Sequence, residues 1–213
     1  RDQLQSEVSR LRGERLVTNV RLQRLAALDA ENARLRAMLE ARTRVRDAVR
    51  VAEIMAVDAN PYEHNLVINV GSRDGVYDGQ AIVAAEGVVG QVIRTGLLTS
   101  QAVLISDTDH ALPVEVNRNG LRTIAVGTGE IDRLDLPFLP NNADIRVGDL
   151  LVTSGLGGAF PSGYPVAVVN TLTRIPQQQF ADVTAVPSAA LDQVREVMLI
   201  GAAAEPVEES SDE

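Results

Sequence analysis

Val76-Tyr77-Asp78-Gly79-Gln80-Ala81-Ile82-Val83 and Ile145-Arg146-Val147-Gly148-Asp149-Leu150-Leu151-Val152 are the two stretches whose reading decides the fold. Both read aliphatic-x-x-Gly-polar-x-aliphatic-Val, at an offset of 69 residues. The physical content is a glycine turn that feeds an inward-facing strand, since glycine enters the left-handed backbone of a tight turn without steric cost. Two barrels of about six strands each would produce such an echo. A chance likeness between two turn-and-strand units would produce it too.

Around these stretches the same grammar runs from Ala48 to Ile200: short β-rich runs separated by Gly, Pro, Asn and Asp. Strands are expected at 48–57, 65–70, 81–85, 87–94, 101–105, 112–116, 121–127, 133–139, 150–153, 166–173, 179–187 and 195–200. Turn signals fall between them, among them Asn60-Pro61, Arg73-Asp74-Gly75, Glu86-Gly87, Asn119-Gly120, Pro140-Asn141-Asn142 and Pro161-Ser162-Gly163. Few helical periods interrupt the series, so parallel β-α-β units do not fit and closed or sandwiched antiparallel sheets do.

Residues 1 to 45 follow another rule. They hold no Pro and one Gly, Gly13, and Leu and Arg dominate. Leu25, Leu28, Asn32, Leu35 and Leu39 step by three and four, an a/d seam sustained over two heptads. Leu4, Val8 and Leu11 belong to a different frame, so the register slips near Gly13, Leu16 and Val20. Asn32 falls at a buried polar seam position, which fixes register and favours a parallel two-stranded coil. These five residues are the expected dimer interface; packing of the helix on its own β domain is the alternative. The helix is already running at Arg1 without a cap, as expected of a piece of a longer protein, whose remaining part could hold an anchor. Residues 201–213, Ala-rich and then acidic, read as a disordered tail.

Composition removes many functions. The chain of 213 residues has no Cys, so disulfides, thiolate zinc sites and cysteine nucleophiles are excluded. It has no Lys either: all twenty basic residues are Arg, which removes a phosphate-loop lysine, Schiff-base chemistry and a Ser-Lys dyad. With only His64 and His110, a His-rich metal site is unavailable. No Trp and six other aromatics argue against a sugar-stacking cleft or a base-stacking platform. Residues 1–50 carry a net +5 and residues 51–213 a net −14, so the acidic body disfavours nucleic acid as a partner. No stretch approaches the roughly 20 apolar residues of a membrane span.

Candidate chemistry is sparse. His110 stands beside Asp107 and Asp109, and Ser154 lies in Thr153-Ser154-Gly155-Leu156-Gly157-Gly158. A serine protease would need these to converge, but the Gly-Asp-Ser-Gly-Gly context that builds its oxyanion hole is missing, as is Gly-x-Ser-x-Gly. Asp132 with Asp135 or Asp107 with Asp109 would serve as paired carboxylates, yet they read better as turn and cap residues. No catalytic residue, cofactor or metal is expected. The glycine run through Tyr164-Pro165 lacks the lysine and the helix of a phosphate loop. Its Leu156, Phe160 and Tyr164 are apolar side chains on a Gly/Pro loop, suited either to contact a partner or to plug a barrel end.

The order and spacing of the motifs carry a resemblance. A coil ending Glu31-Asn32-Ala33-Arg34-Leu35-Arg36 leads to Asn60-Pro61-Tyr62-Glu63-His64, then to Ile68-Asn69-Val70-Gly71-Ser72-Arg73-Asp74-Gly75-Val76 and Gly87-Val88-Val89-Gly90-Gln91-Val92. Val126-Gly127-Thr128-Gly129, Leu136-Pro137, Asp144-Ile145-Arg146-Val147-Gly148-Asp149 and the run from Leu151 to Gly163 follow. Together, over roughly residues 25–200, they resemble the MreC family of bacterial rod shape-determining proteins. One departure is Ala167, where the family continues Pro-Val with Gly.

The resemblance implies a mainly β fold: an N-terminal α-helical coiled coil over 1–45, then two small six-stranded antiparallel β-barrels. The first barrel is placed at 46–84 plus 163–200 and the second, inserted, at 85–162, with the tail at 201–213. It implies a non-enzymatic scaffold of the cell-elongation machinery on the periplasmic side of the inner membrane, held by a single-pass anchor outside this chain. The implied partners are MreD, RodA, the elongation-specific class B penicillin-binding protein and, indirectly, MreB, with sidewall peptidoglycan synthesis as the process. The coil would form the homodimer, and strand edges and loops would support filaments or partner contacts. Two other classes stay open: a periplasmic adaptor of a transport system, disfavoured because its coil would be an internal hairpin, and a protease-like hydrolase.

Overall fold

The computed structural model describes residues 2–38, 50–57 and 63–201. The chain divides into one unit over Arg1–Arg44 and another over Val45–Glu213. The described residues of the first form a helix, α1 (Asp2–Met38), unbroken at Gly13. Its described side chains from Leu11 to Leu28 are all exposed. Arg10 reaches Glu7 and Glu14, each at 2.6 Å, the i,i+3 and i,i+4 spacings that support a solvated helix face. Leu25 and Leu28 of the predicted seam are more than half exposed. Asn32 and Leu35 lie on helical backbone, and Leu39 lies outside the described residues.

The described residues of the second unit form twelve strands, one at each place where the sequence predicts one. The first barrel takes β1 (Arg50–Val57), β2 (Asn65–Ile68), β3 (Ala81–Val83), β4 (Val88–Thr95), β5 (Ser100–Leu104) and β12 (Glu196–Ile200). They close in the order β1-β12-β3-β4-β5-β2. The second takes β6 (Ala111–Val116), β7 (Arg122–Gly127), β8 (Leu134–Asp135), β9 (Leu150–Thr153), β10 (Pro165–Thr173) and β11 (Asp182–Pro187). They close as β10-β11-β8-β7-β6-β9. Every pairing is antiparallel.

The boundaries differ from those expected. β4 and β5 belong to the first barrel, because β4 pairs with β3 and β5 turns back on β2 (Asn65 opposite Val103). β10 and β11 belong to the second, because β10 pairs with both β9 and β11 and β11 with β8. The chain therefore crosses between barrels at 105–110 and 188–195, not at 85 and 163. The turn at Pro161-Ser162-Gly163 joins two neighbouring strands of one barrel, so it carries no boundary.

The echoed stretches occupy matching places. Gly79 and Gly148 both have positive φ, 88° and 91°. The Gly79 amide donates to Val92 and the Val92 amide to Gln80; the Gly148 amide donates to Val169 and the Val169 amide to Asp149. Going round each barrel, β3-β4-β5-β2-β1-β12 matches β9-β10-β11-β8-β7-β6 strand for strand. The topology is one and the same, permuted by a single strand: the second barrel begins with β6, while the first takes the corresponding strand, β12, from the far end of the chain. Even the bulges correspond, between Val92 and Arg94 in β4 and between Val169 and Thr171 in β10.

Both interiors are aliphatic, as small barrels without a lumen require. Ile68, Ile82 and Leu199 fill the first barrel and Leu112, Leu134 and Leu151 the second, all fully buried. Alternation along β6 turns Leu112, Val114 and Val116 inward. The barrels touch directly: a Cβ on Gly87, at the tip of the β3–β4 hairpin, would come within 2.6 Å of the Pro165 carbonyl oxygen at the start of β10. Both sheets close on themselves, which limits the strand edge left open to solvent.

Candidate partner-contact surface

The protease reading requires an imidazole beside a hydroxyl, and the structure pairs neither predicted residue that way. The Ser154 hydroxyl oxygen accepts the Leu156 amide at 3.3 Å. His110 is buried, with both ring nitrogens unpaired and its ring edge-on to Phe160 at 6.1 Å. Burial pushes its pKa down to about 4, opposed weakly by the Asp107 charge.

The sequence reading missed a different His–Ser contact, at the crossing between barrels. His64 Nδ1 and Ser106 Oγ lie 2.7 Å apart. The Asp107 carboxylate accepts the amides of His64 at 2.8 Å and Asp109 at 2.9 Å. Asp107 thus holds backbone, not the imidazole, and Ser106 is fully buried, so no substrate reaches it. The amides of Gly127 and Gly129 donate to the His110 and Ser106 carbonyls, and a Cβ on Gly127 would overlap the Asp107 carbonyl oxygen. The cluster pins the connecting segment between barrels. Its sequence signal is Ser106-Asp107 followed by the tight Gly127-Thr128-Gly129.

A second clamp organises the Asp144–Asp149 motif. Arg118, in the β6–β7 turn, donates through Nε and Nη2 to Asp149, both at 3.0 Å, and through Nη1 to Asp144 at 3.0 Å. These bonds hold both carboxyls below the usual carboxylate range.

The glycine loop divides. Phe160 is only 4% exposed and packs into the core, so it plugs the barrel rather than meeting a partner. Its ring meets the His110 ring at an interplanar angle of 88°. Tyr164 is half-buried against the same core, its amide bonded to Thr153 Oγ1. Leu156 alone of the three is open, at 49% exposure. Another exposed apolar feature went unpredicted. Phe138 and Phe180 form an edge-to-face pair, centroids 6.4 Å apart, 56% and 39% exposed. Pro140 pairs with Phe180 across an isolated bridge, and Asn141 Nδ2 ties down the Ile175 and Gln178 carbonyls. The rings are thus mounted on fixed backbone while facing solvent.

Residues 54–201 match the family described as "Rod shape-determining protein MreC, barrel core". The chain belongs to the MreC family. It is 46% identical over 200 residues to the cell shape-determining protein MreC of Escherichia coli, covering 94% of this chain and 54% of that protein. The chain therefore spans about half the length of the curated relatives it matches. The crystal structure of MreC from Pseudomonas aeruginosa superposes with a TM-score of 0.70 at 48% identity, covering 72% of this chain and 99% of that one. A more distant structure, TM-score 0.55 at 18% identity and covering 72% and 98%, is a complex between Penicillin-Binding Protein (PBP2) and MreC from Helicobacter pylori. Among the described residues, no helix is long and apolar enough to cross a membrane.

Proposed function

We propose that this chain is the periplasmic part of a non-enzymatic scaffold of the cell-elongation machinery. It organises and activates sidewall peptidoglycan synthesis through the class B transpeptidase and is linked at the inner membrane to RodA, MreD and, indirectly, MreB. The observation that carries the reading is the 46% identity to a cell shape-determining protein across nearly the whole chain. The solved complex of a family member with PBP2 supports the choice of partner. The Leu25, Leu28, Asn32, Leu35 and Leu39 seam forms a homodimer that presents two copies of the β body.

On that body, the Phe138–Phe180 pair and the Leu156 loop are the candidate contacts. Exposed aromatics on fixed backbone bury much area at little entropic cost, which is why they dominate interface energetics. The test is binding of the purified chain to the periplasmic part of the class B transpeptidase from the same cell. Phe138→Ser is expected to weaken affinity at least tenfold with an unchanged melting temperature, and Leu156→Ser less so. Phe160→Ala, a core change, costs about 3–5 kcal/mol of stability instead. No saturable binding at high micromolar concentration, or equal affinity for all three variants, overturns the assignment.

A further inference from the structure

The match between the barrels breaks at one place. On the first barrel, β1 continues past its last pair with β2, Ile54 opposite Ile68, and Asn69 finishes the edge. The Asn69 amide donates to the Glu53 carbonyl at 3.1 Å, and Asn69 Oδ1 accepts the Glu53 amide at 2.8 Å. On the second barrel, β7 and β8 pair only at Val126–Asp135 and Gly127–Leu134. Aligning Leu66 with Leu134, both at the start of the pairing, sets Pro137 where Asn69 stands. Proline has neither the amide nor the side-chain acceptor that caps the first barrel. The chain instead peels away: Leu136 donates to Val183 and Ala181 to Leu139, both on the β11 side.

β7 is left half paired. The Gly127 amide donates to His110 and the Val116 amide to Leu121, so odd-numbered β7 residues face β6. Arg122 and Ile124 therefore point their amides and carbonyls toward the gap, where no described residue takes them up. Both side chains are exposed, Ile124 at 38%. Beneath them the Thr123 hydroxyl is buried without a partner. Phe138, on the chain that peels away, follows Pro137 directly and is 56% exposed.

We propose that the outer half of β7, Arg122–Ile124, takes an extended segment of another protein as an added strand, with an acidic residue beside Arg122 and a β-branched residue beside Ile124. Two free amides and two free carbonyls, alternating along an extended edge, fit only another extended backbone. Arg122 is the sole charged side chain on the open stretch and already leans on Glu115 at 3.6 Å. A carboxylate on the incoming strand flanks it from the other side, as Asp144 and Asp149 together flank Arg118. A second copy of this chain on the same edge would instead raise the mass with concentration in wild type but not in Pro137→Asn, and that result overturns the proposal.

The proposal does not depend on the transpeptidase reading. It is tested by titrating the isotopically labelled chain with a capped hexapeptide alternating valine and glutamate. The expected result is movement of the Arg122 and Ile124 amide resonances, with their hydrogen exchange slowed about tenfold at saturation. Ile124→Pro removes the edge donor and abolishes the response. Pro137→Asn, which rebuilds the cap of the first barrel, also abolishes it and leaves the fold intact even if Ile124→Pro does not fold. No response at millimolar peptide, shifts confined to other strands, or an unchanged response in Pro137→Asn overturns the proposal. A valine–lysine peptide binding equally well overturns the acidic complement.

Discussion

His110, at the end of the crossing segment, is a buried imidazole against the Phe160 ring, with neither nitrogen paired. Its pKa falls to about 4 in the fold, against about 6.5 in the unfolded chain. The unfolded chain therefore takes up a proton first as pH drops, and stability is lost between about pH 6.5 and 4, by roughly 3 kcal/mol in all. Urea unfolding at pH 7 and pH 4.5 is expected to show this loss, and His110→Leu to remove most of it. An equal loss in His110→Leu would place the acid sensitivity elsewhere. The Asp-rich run around His110 gives no sign of its burial, because a single sequence says nothing about which side of a barrel a loop residue faces. Phe160 carried the same ambiguity, and its burial decided between plug and partner contact. Leu156, four positions away, is exposed, with Gly157 and Gly158 between them both at positive φ.

At the scale of strands, Gly90 and Ala167 form an internal comparison. They hold the same place, opposite Ile82 in β3 and Leu151 in β9, beside the same bulge. A Cβ on Gly90 would overlap the Val103 carbonyl oxygen of β5, whereas Ala167 fits its methyl fully buried. Gly90→Ala is expected to cost about 1–3 kcal/mol by overpacking, and Ala167→Gly about 1 kcal/mol through the lost methyl and added backbone freedom. Denaturant midpoints of the two variants check the order, and a larger loss in Ala167→Gly would refute it. Strand positions were readable because β-branched runs and turn residues alternate so regularly. The extent of β8 was not. The run 133–139 looks like a strand, but Pro137 breaks its pairing with β7 and hands the chain to β11. Barrel membership was unreadable for a related reason: a hairpin that stays in its sheet and a connection that leaves it use the same turn residues.

For the whole molecule, the seam on α1 sets the expected oligomer. With an Asn at its centre, a two-stranded coil is favoured over higher species. Asn32→Leu is expected to raise the melting temperature of the helical signal and to broaden the mass distribution beyond the dimer, read by circular dichroism and light scattering. An unchanged mass and melting temperature would show that the helix does not pair through this face. The helix was legible because a long run without Pro is a local signal. The nesting of one barrel within the other depends on pairings a hundred residues apart, which local pattern does not encode.

The strand borrowed from the far end of the chain also imposes a timetable. All six strands of the second barrel lie between Ala111 and Pro187, so that barrel can close as soon as this stretch is synthesised. The first barrel must hold five strands open until β12, ending at Ile200, slots between β1 and β3. Its closure spans the longest loop in the molecule and so comes last and slowest. Until then β1 and β3 present bare edges, the moment in the protein's life when it is most exposed to mispairing and most in need of a chaperone.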